Sequence, residues 1–281
     1  ADLQMTARAG GAAYSTGLEL VLNAAGSALQ ILVTENGRIR CFQEWHEAHR
    51  ATELLAPGLR EMCAGLGIAP ASFRRIGCVA GPGSFTGIRL VLATAAALRR
   101  AGHAQLASLD YLQALATSAV MRRGLLYPAP VIVVTHARRN LVHYRPFCSY
   151  GPQIPAQPLS PVELISPAEA LRRMGKEPCH VCGSGLARNP QHFAPEATGR
   201  GPVGAPDAVV MPELKDPDAP ALALLARHGD YFPQDIEPLY VRPCDATENL
   251  GELAARQGMD GELARARLEE LLARTPGSRE A

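Results

Sequence analysis

The sequence predicts an α/β protein made of two related units. Three observations carry that expectation. An apolar strand, a turn of small or polar residues and a second strand open the chain near residue 20, and the same succession begins again at Pro130. Between and after these openings, short apolar runs alternate with segments whose apolar residues recur at helical spacing. A glycine-dense block from Gly81 to Gly87 stands where one such strand passes into one such helix. The duplication lies in pattern more than in identity.

The first unit reads as follows. Leu20-Val21-Leu22-Asn23 is a strand, Ala25-Gly26 a turn, and Leu29 to Val33 a second strand. Glu35-Asn36-Gly37-Arg38 is a hairpin signal, because Asn-Gly accepts the positive φ that a tight turn requires. Ile39 to Trp45 then gives a third antiparallel strand. Leu54, Leu55, Leu59, Met62, Cys63 and Leu66 fall at helical spacing. Thr52 is placed to cap that helix and Gly67 to end it. Ile76 to Ala80 is a short buried strand, followed by a helix from Thr86 to Arg100, a strand from Ala104 to Ser108 and a helix from Tyr111 to Met121.

The second unit opens with Val131-Ile132-Val133-Val134, a buried-strand pattern. After His136-Ala137-Arg138-Arg139-Asn140 the chain alternates, with Leu141, His143 and Arg145 on one face and Val142, Tyr144 and Pro146 on the other. Residues 150–161 are proline-rich and residues 189–220 are rich in Pro, Gly and Ala, so both read as loops. Leu239 to Pro243 is a late strand, and Glu262 to Arg274 a charged terminal helix. The expected organisation is a flexible leader (1–18), an N-terminal lobe (19–115), a C-terminal lobe (116–245) and a helical tail (246–281).

Bulk properties narrow the function. The chain has 281 residues, 47% hydrophobic and 20% charged, as an ordinary globular protein has. Its net charge of +1 supplies no global field to attract nucleic acid or an anionic membrane. No apolar run approaches the roughly 18 residues that cross a bilayer. The first residues lack the basic start and apolar core of a signal peptide, and the seven cysteines are odd in number and thinly spread. A cytoplasmic protein with reduced thiols is expected.

Gly81-Pro82-Gly83-Ser84-Phe85-Thr86-Gly87-Ile88-Arg89 is the sharpest motif. Glycines between a strand and a helix let the backbone turn tightly and approach a ligand or partner. Amides at a helix N-terminus favour anions such as phosphate, and Ser84 and Thr86 bring hydroxyls. The plainer reading is a capped strand-to-helix turn. No Gly-Lys-Ser or Gly-Lys-Thr follows, so the block is not a Walker loop. The helix after it, Leu90-Val91-Leu92-Ala93-Thr94-Ala95-Ala96-Ala97-Leu98, is apolar almost all round, where a surface helix has one apolar stripe. Such a helix is either buried within the fold or shared between core and subunit interface.

Residues Ile76 to Ala97 resemble the signature of the TsaB (YeaZ) family: a strand, a Gly-Pro-Gly-Ser-Phe-Thr-Gly block and an Ala-rich helix. Glu53-Leu54-Leu55-Ala56-Pro57, Ala107-Ser108-Leu109-Asp110-Tyr111-Leu112, His136-Ala137-Arg138-Arg139 and Pro238-Leu239-Tyr240-Val241-Arg242 resemble further family segments in order and spacing. The resemblance spans about residues 19–245, and the glycine block is its specific part.

The resemblance implies the duplicated, two-lobed fold of actin-like ATPases and sugar kinases, which is ribonuclease H-like. It implies a non-catalytic subunit that binds a TsaD-like catalytic partner, joined by a TsaE-like ATPase, in forming N6-threonylcarbamoyladenosine on tRNA. It places the docking surface on the helices 52–66 and 86–100, with Leu55, Leu59, Ile88, Leu92, Ala93 and Ala96 as contact candidates. Gly81, Gly83, Ser84, Thr86 and Gly87 would shape the loop, where ATP or ADP at the complex interface is left open. The tRNA is reached through the complex, and no catalytic or metal residue is assigned.

Two departures bear on nucleotide. Asn23 and His136 stand where nucleotide-binding relatives of this fold carry Asp, and a neutral amide is a poor substitute for a carboxylate on a hard cation. ATP hydrolysis by this chain alone is therefore disfavoured. A small ATPase and a homodimeric paralogue, its apolar helices paired with their own copies, are the competing readings. His46 and His49 read as a solvated helix start, Cys179 and Cys182 as structural thiols, and the pairs Arg99-Arg100, Arg122-Arg123 and Arg138-Arg139 as solvated surface.

Overall fold

The structure, a computed structural model, describes residues 17–175, 177–194, 201–239, 241, 254, 260–263 and 266–267. Strands β1 (Leu18–Asn23), β2 (Leu29–Glu35) and β3 (Arg38–Trp45) form an antiparallel meander. Asn36 and Gly37, both at positive φ, make the expected β2–β3 turn. Helix α1 (Ala51–Leu66) follows a 3-10 turn at Ala48–Arg50. Strand β4 (Arg75–Gly81) then leads into α2 (Phe85–Gly102), β5 (Gln105–Asp110) and α3 (Tyr111–Arg123). β4 pairs parallel to β1 and β5 parallel to β4.

The second half repeats this plan. β6 (Ala129–Arg138) and β7 (Leu141–Ser149) are an antiparallel pair, and β8 (Gln157–Pro158) and β9 (Glu163–Ile165) both pair with β7. Helix α4 (Pro167–Met174), strand β10 (Cys179–Cys182), the short helices α5 (Ser184–Arg188) and α6 (Pro190–Phe193), strand β11 (Ala208–Met211) and helix α7 (Ala219–Arg227) complete it. The sheet orders are β3-β2-β1-β4-β5 and β8-β7-β6-β10-β11. Each sheet thus carries an antiparallel hairpin on one side and two parallel strands on the other, which is the expected duplication in three dimensions.

Burial follows from these layers. Leu20, Leu22, Ile31 and Val33 of the first sheet are fully buried against Leu55, Leu59, Met62, Val91 and Ala95 of α1 and α2. Fully burying one such side chain contributes roughly 1.5–3 kcal/mol. Gly58 makes room for the Trp45 ring, whose Cη2 would lie 2.5 Å from an added Cβ. The opposite face of the sheet packs, through Val21, Leu32 and Val79, into a second cluster containing Leu112 and Leu115 of α3 and Leu222 and Leu225 of α7. That cluster continues to Val131, Val133 and Phe147 of the second sheet. Ile132, Val134 and Val181, on the far face, pack on Ala170 and Met174 of α4 and Leu186 of α5.

Several expectations need correction. Thr52 does not cap α1: the N-cap position is Arg50, which makes no side-chain cap bond and instead pairs with Glu47 at 2.9 Å and Glu53 at 3.0 Å. The 3-10 turn brings the chain in earlier, so Thr52 lies inside the first turn. Gly67 ends the helix at φ 66 as expected. The loop read over 189–220 contains α6 and β11 and the start of α7. The boundary drawn at 115/116 falls inside α3, and α7, placed in the second lobe, packs against strands of the first sheet. Leu239 is not in a strand, but its N–H donates to the Ala80 carbonyl at 2.8 Å. Tyr240 and residues 242–250 lie outside the described residues, as do residues 1–16 of the expected leader and most of the expected terminal helix. Residues Tyr240–Ala281 form a separate unit, in which the Asp260 carboxylate accepts from the Glu262 N–H at 2.9 Å.

Candidate functional site

The glycine-rich block joins β4 to α2 and lies against the β1–β2 turn. A Cβ on Gly83 would lie 2.2 Å from the Ala25 carbonyl oxygen, and one on Gly87 1.9 Å from that of Ala24. A Cβ on Gly81, which has φ +128, would meet the Leu239 carbonyl oxygen at 2.6 Å. The Ser84 N–H donates to the Ala25 carbonyl at 2.8 Å. Backbone-to-backbone packing therefore accounts for these three glycines. The Ser84 hydroxyl accepts from the Gly87 N–H at 3.2 Å, so it serves as the N-cap of α2. Thr86 is exposed in the first turn. The plainer reading of the block, a capped turn, is built into these contacts.

The β1–β2 turn is held in two ways. Asn23 is fully buried; its Oδ1 accepts from the Ala25 N–H at 2.9 Å and its Nδ2 donates to Gln30 Oε1 at 2.7 Å. Gln30 in turn donates to Glu44 Oε1 at 2.7 Å and to the Pro217 carbonyl at 2.8 Å. Asn23 is thus one member of a satisfied amide network. On the other side, Asp216 reaches the turn from the connection after β11. Its Oδ1 accepts from the N–H groups of Ser27 at 2.8 Å and Ala28 at 3.3 Å, and its Oδ2 accepts from the Ser27 hydroxyl. The Tyr111 hydroxyl stands 3.0 Å from the same Oδ1 and 2.9 Å from the Lys215 carbonyl. Burial first, and the Asp216 carboxylate second, hold the Tyr111 phenol well above its ordinary pKa, so it remains a donor.

His136 lies in β6, paired with Val142 of β7, shortly before the β6–β7 turn. It is exposed, and its backbone N–H donates to the Ser184 hydroxyl at 3.1 Å. Partial burial and the nearby Arg188 lower its pKa. Cys179 and Cys182 point to opposite faces of β10, because their separation of three reverses the side-chain direction in a strand. Cys179 packs under α4 and Cys182 in the central cluster, as structural thiols do. His46 is exposed, 3.6 Å from Glu44 Oε2, and lies before the 3-10 turn; His49 is exposed within it. Of the paired arginines, Arg99 and Arg100 both bond to Asp235 at 2.9 and 2.6 Å, and Arg122 binds Asp218 with two contacts of 2.6 Å.

The contact candidates fall on different sides of their helices. Leu55, Leu59 and Ile88 are buried in the chain's own core, at 1%, 5% and 0% exposure. Leu92 and Ala96 are half-buried, and Ala93 is exposed. On α2 the buried residues are Gly87, Ile88, Val91 and Ala95, while Ala93 and Ala97 face outward next to half-buried Leu90. The helix therefore has two sides: one in the core, and one exposed, where Ala93 and Ala97 lie between the polar residues Thr86, Arg89 and Arg100. Sequence reasoning missed Asp216, Gln30 and Tyr111. Asp-Pro-Asp at 216–218 marks a turn, but nothing local relates it to a turn 189 residues earlier.

Comparison with known proteins matches residues 46–155 to the family model of TsaD, the tRNA N6-adenosine threonylcarbamoyltransferase. No curated protein matches the chain. Among solved structures, YeaZ from Pseudomonas aeruginosa superposes with a TM-score of 0.64 at 19% identity, over 80% of this chain and 100% of that one. A Pseudomonas aeruginosa protein described as similar to peptidase YeaZ superposes with a TM-score of 0.65 at 18% identity, over 81% of this chain and 100% of the other. The chain is YeaZ-like (TsaB-like) in fold, with the two-lobed actin-like, ribonuclease H-like architecture.

Proposed function

We propose that this YeaZ-like chain is the non-catalytic subunit of a tRNA threonylcarbamoylation complex, in which α1 and α2 dock on a TsaD-like catalytic chain. The two-sided character of α2 carries the reading. Its inner side is committed to the core, while the outer side presents Ala93 and Ala97, whose small side chains permit close approach of another helix. The TsaD-family match covers α1, the glycine block and α2. In this reading Ala93, with the edges of Leu92 and Ala96, touches the partner, and Leu55, Leu59 and Ile88 hold the two helices from inside. The chain then acts by keeping the partner's site in its competent arrangement.

The chemistry of the β1–β2 turn is in keeping with a non-catalytic role. Asn23 is occupied as a neutral amide in its network, and the turn beside it already holds the Asp216 carboxylate. These features weigh against ATP or ADP being handled by this chain alone. The tRNA and a TsaE-like ATPase would meet the chain through the assembled complex, in the cytoplasm. Reconstitution tests the reading: a TsaD-like protein with its tRNA and threonylcarbamoyl donor is assayed with and without this chain. Modification that depends on the chain supports it. Modification at the same rate in both assays overturns it.

A further inference from the structure

The outer strand of the first sheet, β5, is closed at one residue and open two residues later. The Gln105 N–H donates inward, to the Arg74 carbonyl at 2.9 Å. Leu106 faces outward: its N–H donates to the Phe232 carbonyl at 2.8 Å, and its carbonyl accepts from the Phe232 N–H at 2.9 Å. Peptide groups alternate in direction along a strand, so the N–H and C=O of Ser108 also face the outer edge. Their antiparallel partner would be Asp230. The chain does not supply it, because the residues before Phe232 close the end of α7. The His228 N–H donates back to the Leu224 and Leu225 carbonyls and the Gly229 N–H to that of Ala226. The pairing with Phe232 therefore stays one residue long.

A cavity of about 330 Å³ lies between Ser108 and Asp230, where the missing strand would run. Leu109, Leu225 and Ile154 give it apolar walls. Gln113 of α3 and Gln157 of β8 complete it, their amides donating to the Ala156 and Pro155 carbonyls at 3.0 and 2.8 Å. β5 and β8 are the outer strands of the two sheets, so both sheet edges line one cavity. No described lysine or arginine lines it, which disfavours an anion. Asp230 is exposed and makes no ion pair among the described residues. We propose that the cavity takes an extended peptide segment of a partner protein. The segment adds as a strand to β5 at Ser108, sets an apolar side chain against Leu109 and Leu225, and brings a lysine or arginine to Asp230. In strand addition the backbone bonds supply affinity and the flanking walls supply specificity. None of these residues belongs to α2, and the inference does not depend on the docking of that helix.

Titration of the full chain with the capped pentapeptide Thr-Val-Lys-Val-Thr, followed by amide NMR and hydrogen exchange, tests this. Saturable binding is expected with a Kd on the order of 1 mM, as for a single short strand. Exchange of the Ser108 amide should slow on binding. A peptide methylated at its central backbone nitrogens should bind about fivefold more weakly or not at all, since it lacks the edge donors. The same peptide with glutamate for lysine should bind about threefold more weakly, the range of an exposed ion pair. Asp230→Asn, an exposed change that leaves the fold intact, should abolish the preference for lysine over glutamate. Three results each overturn the proposal: no change in Ser108 exchange at saturating or ten-millimolar peptide, equal binding of the methylated and unmethylated peptides, or a lysine preference that survives Asp230→Asn.

Discussion

Gly87 and Ala24 pack backbone to backbone: a Cβ on Gly87 would come within 1.9 Å of the Ala24 carbonyl oxygen. Neither partner has a flexible end that can move aside, because both are backbone groups: Gly87 lies in the first turn of α2 and Ala24 directly follows β1, with its neighbour Ala25 held by the Asn23 side chain. Gly87→Ala is therefore expected to cost about 2–3 kcal/mol, the upper range for overpacking a tight site. Urea denaturation measures it. A loss below about 0.5 kcal/mol, the range of unconstrained surface changes, would show that the loop yields.

Asn23→Asp tests whether this position is built for an amide. The Asn23 Nδ2 donates to Gln30 Oε1, and Gln30 cannot turn its own amide round without surrendering its bonds to Glu44 and Pro217. An ionised carboxylate would face that oxygen in a fully buried site. The expected cost at neutral pH is about 2–3 kcal/mol. It should shrink as pH falls into the carboxyl range, because the protonated acid donates as the amide does. Denaturation at neutral and acid pH checks the sign, and the variant should gain no ATP turnover.

The two sides of α2 should respond oppositely to substitution. Ile88 is fully buried, so Ile88→Ala should cost about 2–4 kcal/mol. Ala93 is exposed, so Ala93→Arg should change stability by no more than about 0.5 kcal/mol. Chemical denaturation of both variants, side by side, reads the two faces directly.

Acid should weaken the fold through histidines. His136, His180 and His228 are each lowered, by burial first and then by Arg188, Arg123 and Arg227 respectively. His180 Nδ1 is buried with no hydrogen-bond partner among the described residues. Neutral imidazole is favoured in the folded chain, so the unfolded chain binds protons first. Stability is complete above the ordinary histidine value of about 6.5 and is lost as pH falls through the lower folded values. The thermal midpoint should fall between about pH 7 and pH 5, and His180→Gln should flatten that fall.

The elements legible in the sequence are those whose signals are local. Asn36-Gly37 sets its hairpin, the spacing of Leu55, Leu59 and Met62 sets α1, and the glycine block sits where β4 meets α2. The elements missed are short or depend on distant partners. β11 has four residues, and α7 begins at Ala219-Pro220 inside a stretch whose composition resembles a loop. Asn23 was legible as a departure, but its role was not, because Gln30, Glu44 and Pro217 meet only in the folded chain. The apolar surround of α2 announced a helix with two occupied sides, while the assignment of residues to each side needed the sheet it packs on. Ile88 and Ala93 are indistinguishable as candidates until β1 and β4 lie beneath one of them.

Docking of α2 on a TsaD-like chain is the central claim, and one measurement addresses it most directly. The chain and the TsaD-like protein of the same organism are mixed and resolved by size-exclusion chromatography with light scattering, using wild type and Ala93→Arg. A one-to-one complex with wild type, lost with the folded Ala93→Arg variant, is the predicted result. Separate peaks for wild type, or a homodimer that excludes the TsaD-like protein, would contradict the account; a complex that survives Ala93→Arg would contradict the placement of the interface on α2.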